Sequence, residues 1–242
     1  MALHFLVESS TDACVGDVVS LTGAEAKHAA VVRRLRVGEA VTVGDGAGVW
    51  LAGVAEEVAP SRVDVRIEER VEHPAPAPRL VLVQALAKGD RDELAVQAAC
   101  ELGVDEIVPW QAGRSVSRWE GPKAVKGRER WSTIVREAAK QAHRAWVPEV
   151  TAPATTKQLA ARASTDRVLL LDPTAPVRLS AIEPDGRDLV LVVGPEGGIS
   201  DEELALLTDA GAERVLLGET VLRTSTAGPA AVAVLSVALG RW

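Results

Sequence analysis

Residues 189–203 read LVLVVGPEGGISDEE: five consecutive apolar, mostly β-branched residues run into three glycines and then into an acidic helix start. A strand apolar at every position is buried on both faces, as in parallel sheets covered by helices. Ligands of open α/β sheets bind outside the carboxyl ends of such strands, so the turn after Val193 is a candidate ligand loop. Gly194, Gly197 and Gly198 permit positive φ and close backbone approach, and Pro195 stiffens the turn. Ser200 and Glu203 have the spacing of a capping box. The loop lacks both the GxGxxG spacing and a Gly-Lys-Ser/Thr ending, and Glu196 would repel phosphate. An uncharged or cationic ligand suits it better.

Working outward, apolar runs alternate with helical patterns, which predicts an α/β domain over 80–242. The expected strands are 80–85, 106–109, 168–172, 189–193 and 214–217; the expected helices are 91–102, 128–145, 200–210 and 229–239. Residues 72–79, EHPAPAPR, place three prolines in alternation with alanine and read as a short stiff linker. Before it, short alternating runs at 18–21, 41–43, 49–54 and 62–67, with a hairpin signal at Asp45-Gly46-Ala47-Gly48, predict a small β-rich barrel over 1–71. One helix, 24–35, interrupts them behind a capping-box spacing of Thr22 and Glu25.

Composition limits what such a chain does. With 242 residues, 47% hydrophobic and 25% charged, it can bury a full core, so disorder is excluded as the dominant state. The longest uncharged stretch, 224–240, carries Gly, Pro and Ser and falls short of a membrane span. The first residues lack the basic and apolar regions of a signal peptide, so a soluble cytoplasmic protein is expected. Two cysteines and four histidines show no metal-ligand spacing, and no metal is expected. The net charge of −7 argues mildly against a nucleic-acid partner, yet residues 114–144 hold nine Lys and Arg against three acids. An acidic chain thus carries one basic surface.

A second loop repeats the pattern of the first. RVLLGETVLRTSTAGPAA, residues 214–231, passes from a short apolar strand through Gly218 and a polar loop into an apolar helix, with Pro229 suited to a first turn and Ser225 or Thr226 available as cap. Arg223 is the one cation between Leu217 and Ala231; an arginine in such a loop is either a surface group or a functional one.

The pair Gly194-Pro-Glu-Gly-Gly-Ile-Ser200 and Leu217-Gly-Glu-Thr-Val-Leu-Arg223-Thr-Ser-Thr-Ala227 resembles the C-terminal motifs of the SPOUT class of RNA methyltransferases, most closely the RsmE family. The resemblance extends through Lys88, Glu101-Leu-Gly-Val104, Arg114-Ser115, Arg130-Trp131, Ala138, Gln141, Arg144 and Pro148, and back to Lys27-His28, Val32-Arg33 and Gly38-Glu39. It implies a PUA-like RNA-binding barrel followed by an α/β domain with a deep C-terminal trefoil knot. It implies N3 methylation of a uridine in 16S ribosomal RNA of the small subunit, by a homodimer.

The donor it implies is S-adenosylmethionine, held by Leu171, Val193, Gly194, Pro195, Gly197, Gly198, Leu217, Gly218, Val221, Leu222, Thr226 and Ala227. Arg223 and Glu196 are the catalytic candidates: Arg223 to stabilise charge on a uracil oxygen, Glu196 as the nearest carboxylate, which equally suits donor binding. Where the family often reads Arg-Thr-Glu-Thr-Ala, this chain has Ser225, with no carboxylate. A different acceptor, such as a ribose 2′-oxygen, and a noncatalytic assembly factor remain alternatives.

Given that resemblance, RNA contacts are expected from two surfaces, each of which on its own reads equally as a solvated helix face. Arg136, Lys140 and Arg144 repeat every fourth residue opposite the apolar face of the 128–145 helix, with Arg114 nearby. Lys27, His28, Arg33, Arg34 and Arg36 cluster within the N-terminal helix and its end.

Overall fold

The computed structural model describes residues 2–7 and 12–242. Residue 1 and residues 8–11, part of the N-terminal stretch read for a signal peptide, lie outside the described residues. The chain divides into two compact units, Met1–Ala75 with Ala139–Val147, and Pro76–Ala138 with Pro148–Trp242.

In the first unit, β1 (Leu3–Leu6), β2 (Val18–Thr22), β3 (Ala40–Gly44), β4 (Val49–Ala59) and β5 (Arg62–Glu72) form a sheet ordered β1-β3-β4-β5-β2. Its alternating apolar residues, among them Phe5, Leu21, Val43, Leu51, Val63 and Val65, gather into one core. The β3–β4 turn is the expected hairpin, closed by Asp45 Oδ1, which accepts from the N–H groups of Ala47 at 2.7 Å and Val49 at 3.1 Å. The helix expected over 24–35 is shorter and changes pitch: α1 (Gly23–Lys27) runs into a π-helical turn over His28–Val32. Thr22 stands at its N-cap, but its side chain makes no capping bond.

Residues 139–147 join this unit rather than the second. Lys140 Nζ is 2.9 Å from Glu25 Oε1, Val147 N–H donates to Gly46 O and Gly48 N–H donates to Ala145 O. The indole of Trp146 lies against Gly48, where a Cβ would come within 2.8 Å of Cζ2.

His4 is buried here, its ring stacked on Trp50 at 4.1 Å and its Nδ1 3.0 Å from Thr42 Oγ1, while Nε2 has no partner among the described residues. Burial, reinforced by His143 and Lys140, lowers its pKa to about 4. The neutral ring is therefore the folded form, and an unfolded histidine titrates near 6.5. Its contribution to stability is complete above pH 6.5 and is lost as pH falls from there toward 4, by up to ~3 kcal/mol. Denaturant titrations at pH 7 and 4.5 will show that drop for the native chain and a smaller one for His4→Phe; equal drops would refute the assignment.

The second unit is an α/β layer built on β6 (Leu80–Ala85), β7 (Glu106–Trp110), β8 (Glu149–Val150), β9 (Arg167–Leu171), β10 (Val177–Arg178), β11 (Leu189–Val193) and β12 (Glu213–Leu216). The sheet order is β10-β12-β9-β11-β6-β7-β8, and every pairing is parallel. Residues of β6 and β11 are buried throughout, as their unbroken apolar runs predict. The helices are α2 (Arg91–Glu101), α3 (Pro122–Gln141), α4 (Thr156–Arg162), α5 (Asp201–Asp209) and α6 (Thr224–Ala238). Ser200 caps α5 through a complete capping box with Glu203.

Two helices depart from expectation. α3 begins six residues earlier than predicted and ends at Gln141, so Arg144 is not on it; His143 follows in a left-handed conformation, φ 53°. α6 begins at Thr224, with Arg223 rather than Ser225 or Thr226 at the N-cap and Pro229 inside. α6 packs on α2, β6, β11 and the turn Leu179–Ala181. Among the described residues no helix is long and apolar enough to cross a membrane, and no group of three or more His, Cys, Asp or Glu could hold a metal ion.

Candidate active site

The carboxyl ends of β9, β11 and β12 lie side by side at the switch in strand order, and the loops that follow them enclose a cavity of about 880 Å³. That size is typical of a site for a small-molecule ligand. Its walls include Leu171, Val193, Gly194, Pro195, Glu196, Gly198, Leu217, Gly218, Val221, Leu222, Arg223 and Ala227. Residues far apart in sequence are thus brought together. Gly197 and Thr226 do not line the cavity. Gly197 faces Arg114, whose Cβ would lie 3.3 Å from an added Cβ, and Thr226 is exposed on the first turn of α6, its N–H donating to Arg223 O.

One buried side chain joins the two glycine-bearing loops. Gln84 Nε2 donates to Thr224 Oγ1 at 2.8 Å, and the Thr224 hydroxyl donates to Gly194 O at 3.0 Å. Gly194 itself has no room for a side chain, because a Cβ would come within 2.9 Å of Ile199 Cγ1 and 3.2 Å of Ile199 N. Gly198, at φ 72°, closes the turn back on Pro195 O. Behind the loop, Arg114 Nη1 donates to Gly197 O at 3.1 Å and Ile199 O at 3.4 Å, and Glu203 Oε1 accepts from Gly113 N–H at 2.8 Å.

Three charged groups act on the cavity walls. Glu196 Oε1 accepts from Lys88 N–H at 3.2 Å and Arg91 Nη1 at 2.8 Å. Partial burial pushes its carboxyl up, but backbone N–H groups and Arg91 outweigh that and hold it below the ordinary glutamate range. Asp172 is buried, accepting from Thr174 N–H and hydroxyl, each at 2.8 Å, and from Arg214 Nε at 2.6 Å. Burial opposes its ionisation, yet those donors keep its pKa low. Arg223, by contrast, is exposed, and no partner for its guanidinium is present among the described residues. A free planar fork of donors at a cavity wall can receive an anion or a polarised carbonyl.

The sequence did not lead to Gln84, Asp172, Thr174, Arg214 or Thr224. A polar Gln84 inside the otherwise apolar run LVLVQA was the available signal for the first. Nothing local marked the others, whose roles depend on strand neighbours. Among the expected RNA contacts, Lys27, Arg33 and Arg34 are exposed, His28 is half-buried with its ring edge-on to Phe5 at 6.1 Å, and Arg136 is half-buried. Lys140 is 4% exposed and ion-paired with Glu25, so it is not a surface phosphate contact. The fourfold row fails because the helix turns Lys140 inward and ends before Arg144.

A family model described as an RNA methyltransferase domain matches residues 73–236, and one described as an RNA methyltransferase PUA domain matches residues 21–68. Ribosomal RNA small subunit methyltransferase E of Mycobacterium bovis is 42% identical over an alignment of 248 residues, covering 100% of this chain and 94% of its own length. The chain belongs to the ribosomal RNA small subunit methyltransferase E family. The Bacillus subtilis member is 31% identical over 90% of this chain and 89% of its own. The methyltransferase E structure from Neisseria gonorrhoeae, bound to S-adenosyl methionine, matches with a TM-score of 0.87 at 28% identity over 98% of both chains. A methyltransferase from Legionella pneumophila in complex with the same cofactor matches with a TM-score of 0.86 at 31% identity, again over 98% of both.

The cavity of this methyltransferase E chain has apolar room for a nucleoside. Leu171, Val193, Leu217 and Leu222 offer apolar walls and Gly218 leaves open space where a Cβ would point, while the lining carboxylates Glu196 and Asp172 are each paired with a lining arginine, Arg91 and Arg214.

Proposed function

We propose that the chain methylates N3 of a uridine in small-subunit ribosomal RNA, using S-adenosylmethionine, and does so as a homodimer. The observation that carries this reading is the convergence of the two glycine-bearing loops on one cavity, joined through Thr224, with Arg223, which has no partner among the described residues, at its wall. Bound there, S-adenosylmethionine supplies an electrophilic methyl group on a sulfonium. Leu171, Val193, Leu217 and Leu222 would hold the adenosyl part of that group, with backbone groups of the 217–222 loop available to hydrogen-bond it.

Uracil N3 gives up its proton to solvent water, and the charge left on the ring builds on O2 and O4. Arg223 donates hydrogen bonds to one of those oxygens, lowering the barrier where charge develops. Glu196 is a weak base, because Arg91 and two backbone N–H groups stabilise its charged form. Its part is to anchor the glycine loop to the start of α2. Glu196→Gln will therefore weaken donor binding several-fold and leave kcat within about threefold. A loss of ~10²-fold in kcat would instead make Glu196 the base.

Exposed Lys27, Arg33, Arg34 and Arg36 are the phosphate contacts of the first unit, in a sequence-independent role. α2 and α6 pack together and leave Leu94 and Val237 exposed, which favours a second copy on that face. The deciding experiment incubates the chain with methyl-labelled donor and small ribosomal subunits, then digests the RNA to nucleosides. Label in 3-methyluridine is expected. Label in a 2′-O-methyl nucleoside would move the acceptor, and no donor binding by calorimetry would leave an RNA-binding factor.

A further inference from the structure

A second cavity, of about 270 Å³, opens at the start of α2, lined by Lys88, Asp92, Glu93, Ser117, Trp119 and Trp131 among others. Three features of it are unlike an incidental surface dent. The first is the rigidity of Trp119. Its indole stands edge-on to the buried Trp131, centroids 5.0 Å apart at 68°, and lies against the backbone of α3 at Gly127, where an added Cβ would fall 2.5 Å from the ring. Its backbone N–H is held by Gln111 Oε1 at 2.9 Å. Glycine inside a helix costs about 1 kcal/mol relative to alanine, and here it lets an aromatic ring rest on the helix backbone, half-exposed and fixed in place.

The second feature is polarity. Asp92 is 4% exposed, its carboxyl pushed up by burial although Ala87 and Glu93 N–H groups donate to it at 3.0 and 2.9 Å. A carboxylate with remaining lone pairs accepts from an N–H edge. Glu93 is ion-paired with Arg130, and Lys88 is exposed, with no partner for its ammonium among the described residues. The third is position. The backbone N–H of Lys88, which lines this cavity, and the side chain of Arg91, which lines the larger one, both hold Glu196 Oε1. One short loop therefore borders both cavities.

We propose that this second cavity receives an unpaired base of the RNA substrate, next to the nucleotide that is methylated: the base stacks on Trp119, its N–H edge faces Asp92, and Lys88 meets a flanking phosphate. The inference rests on the RNA-methylating reading above. Stacking platforms of this kind tolerate sequence and contribute several-fold to a hundredfold in affinity per base. Single-stranded segments are where bases are free to be splayed onto aromatic rings.

The test uses the full chain and single-stranded RNA oligonucleotides carrying 5-iodouridine, with photo-crosslinking followed by peptide mapping, and anisotropy at constant salt. A crosslink in the peptide containing Trp119 is expected, together with a roughly tenfold loss of affinity for Trp119→Ala, recovery in Trp119→Phe, and a severalfold loss for Lys88→Gln. Lys88→Gln also covers the case in which Trp119→Ala fails to fold. Crosslinks confined to the first unit, or native affinity in both Trp119→Ala and Lys88→Gln, would overturn the proposal while leaving the methylation reading standing. Failure of the native chain to bind S-adenosylmethionine would count against that reading instead.

Discussion

Arg223→Ala will lower turnover by ~10²-fold or more while leaving affinity for S-adenosylmethionine within a few-fold. Loss of one donor aimed at developing charge typically costs that much in a water-poor site. The side chain is well placed for a clean experiment. It is exposed, no partner for it is present among the described residues, and its contribution to α6 is made by the backbone: Arg223 O accepts from the N–H groups of Thr226 at 2.8 Å and Ala227 at 2.9 Å. Alanine keeps those bonds, so the helix start survives and thermal stability will stay within about a degree of native. Single-turnover rates separate the chemical step from donor binding. Arg223→Lys retains the charge but not the planar fork, and will recover only part of the rate. Unchanged turnover in Arg223→Ala would remove the role assigned here and leave the residue as an RNA contact or a surface group.

Thr224→Val is the second large effect, and it works through architecture rather than charge. Valine matches threonine in shape, so the packing of α6 is retained. What is lost is a hydroxyl that links Gln84 on β6 to Gly194 in the glycine loop. Both partners would remain in place with an unmet hydrogen bond, and Gln84 is fully buried and already has Oε1 without a partner among the described residues. An unsatisfied buried polar group costs ~1–3 kcal/mol, so a loss of ~2–4 kcal/mol is expected. For a unit of this size that is a fall in Tm of roughly 5–12 °C. Donor affinity will fall by ten- to a hundredfold, because the two loops are no longer held to one another. The double variant Thr224→Val with Gln84→Leu removes the stranded amide and will regain part of the stability without regaining donor affinity. Full recovery of both would mean that the hydroxyl serves the core alone.

These two residues also mark the limit of what could be read along the chain. The glycine loop was legible because five apolar residues, the glycines and the Ser200–Glu203 cap all act locally, and α5 forms as that spacing predicts. β6 and β11 were legible for the same reason. α6 was misplaced because Pro229 reads as a first-turn residue, whereas the bonds of Thr224 to Gln84 and Gly194 draw the helix start back to residue 224, and the proline is accommodated in the second turn. Lys140 looked like a solvated cation on a basic helix; its partner, Glu25, lies 115 positions away, and no local pattern carries that information. The larger cavity was foreseeable as two loops of similar grammar, but Asp172, Thr174 and Arg214 enter it only through the parallel pairing of β12 with β9. Such registers arise from the whole sheet.

The hairpin of residues 45–48 is completed by a segment that follows about sixty intervening residues of the other unit: Trp146 covers Gly48 and donates to His73 O at 3.0 Å, and Ala47 pairs with it as an isolated bridge. During translation the first seventy-five residues therefore emerge without their lid, and the ribosome must make well over half of the chain before that lid arrives. A gene fragment cut at the proline-rich connector would encode a module with an open seam. Grafting it onto another enzyme would require carrying the late segment along, so the two halves are expected to have been inherited as one piece.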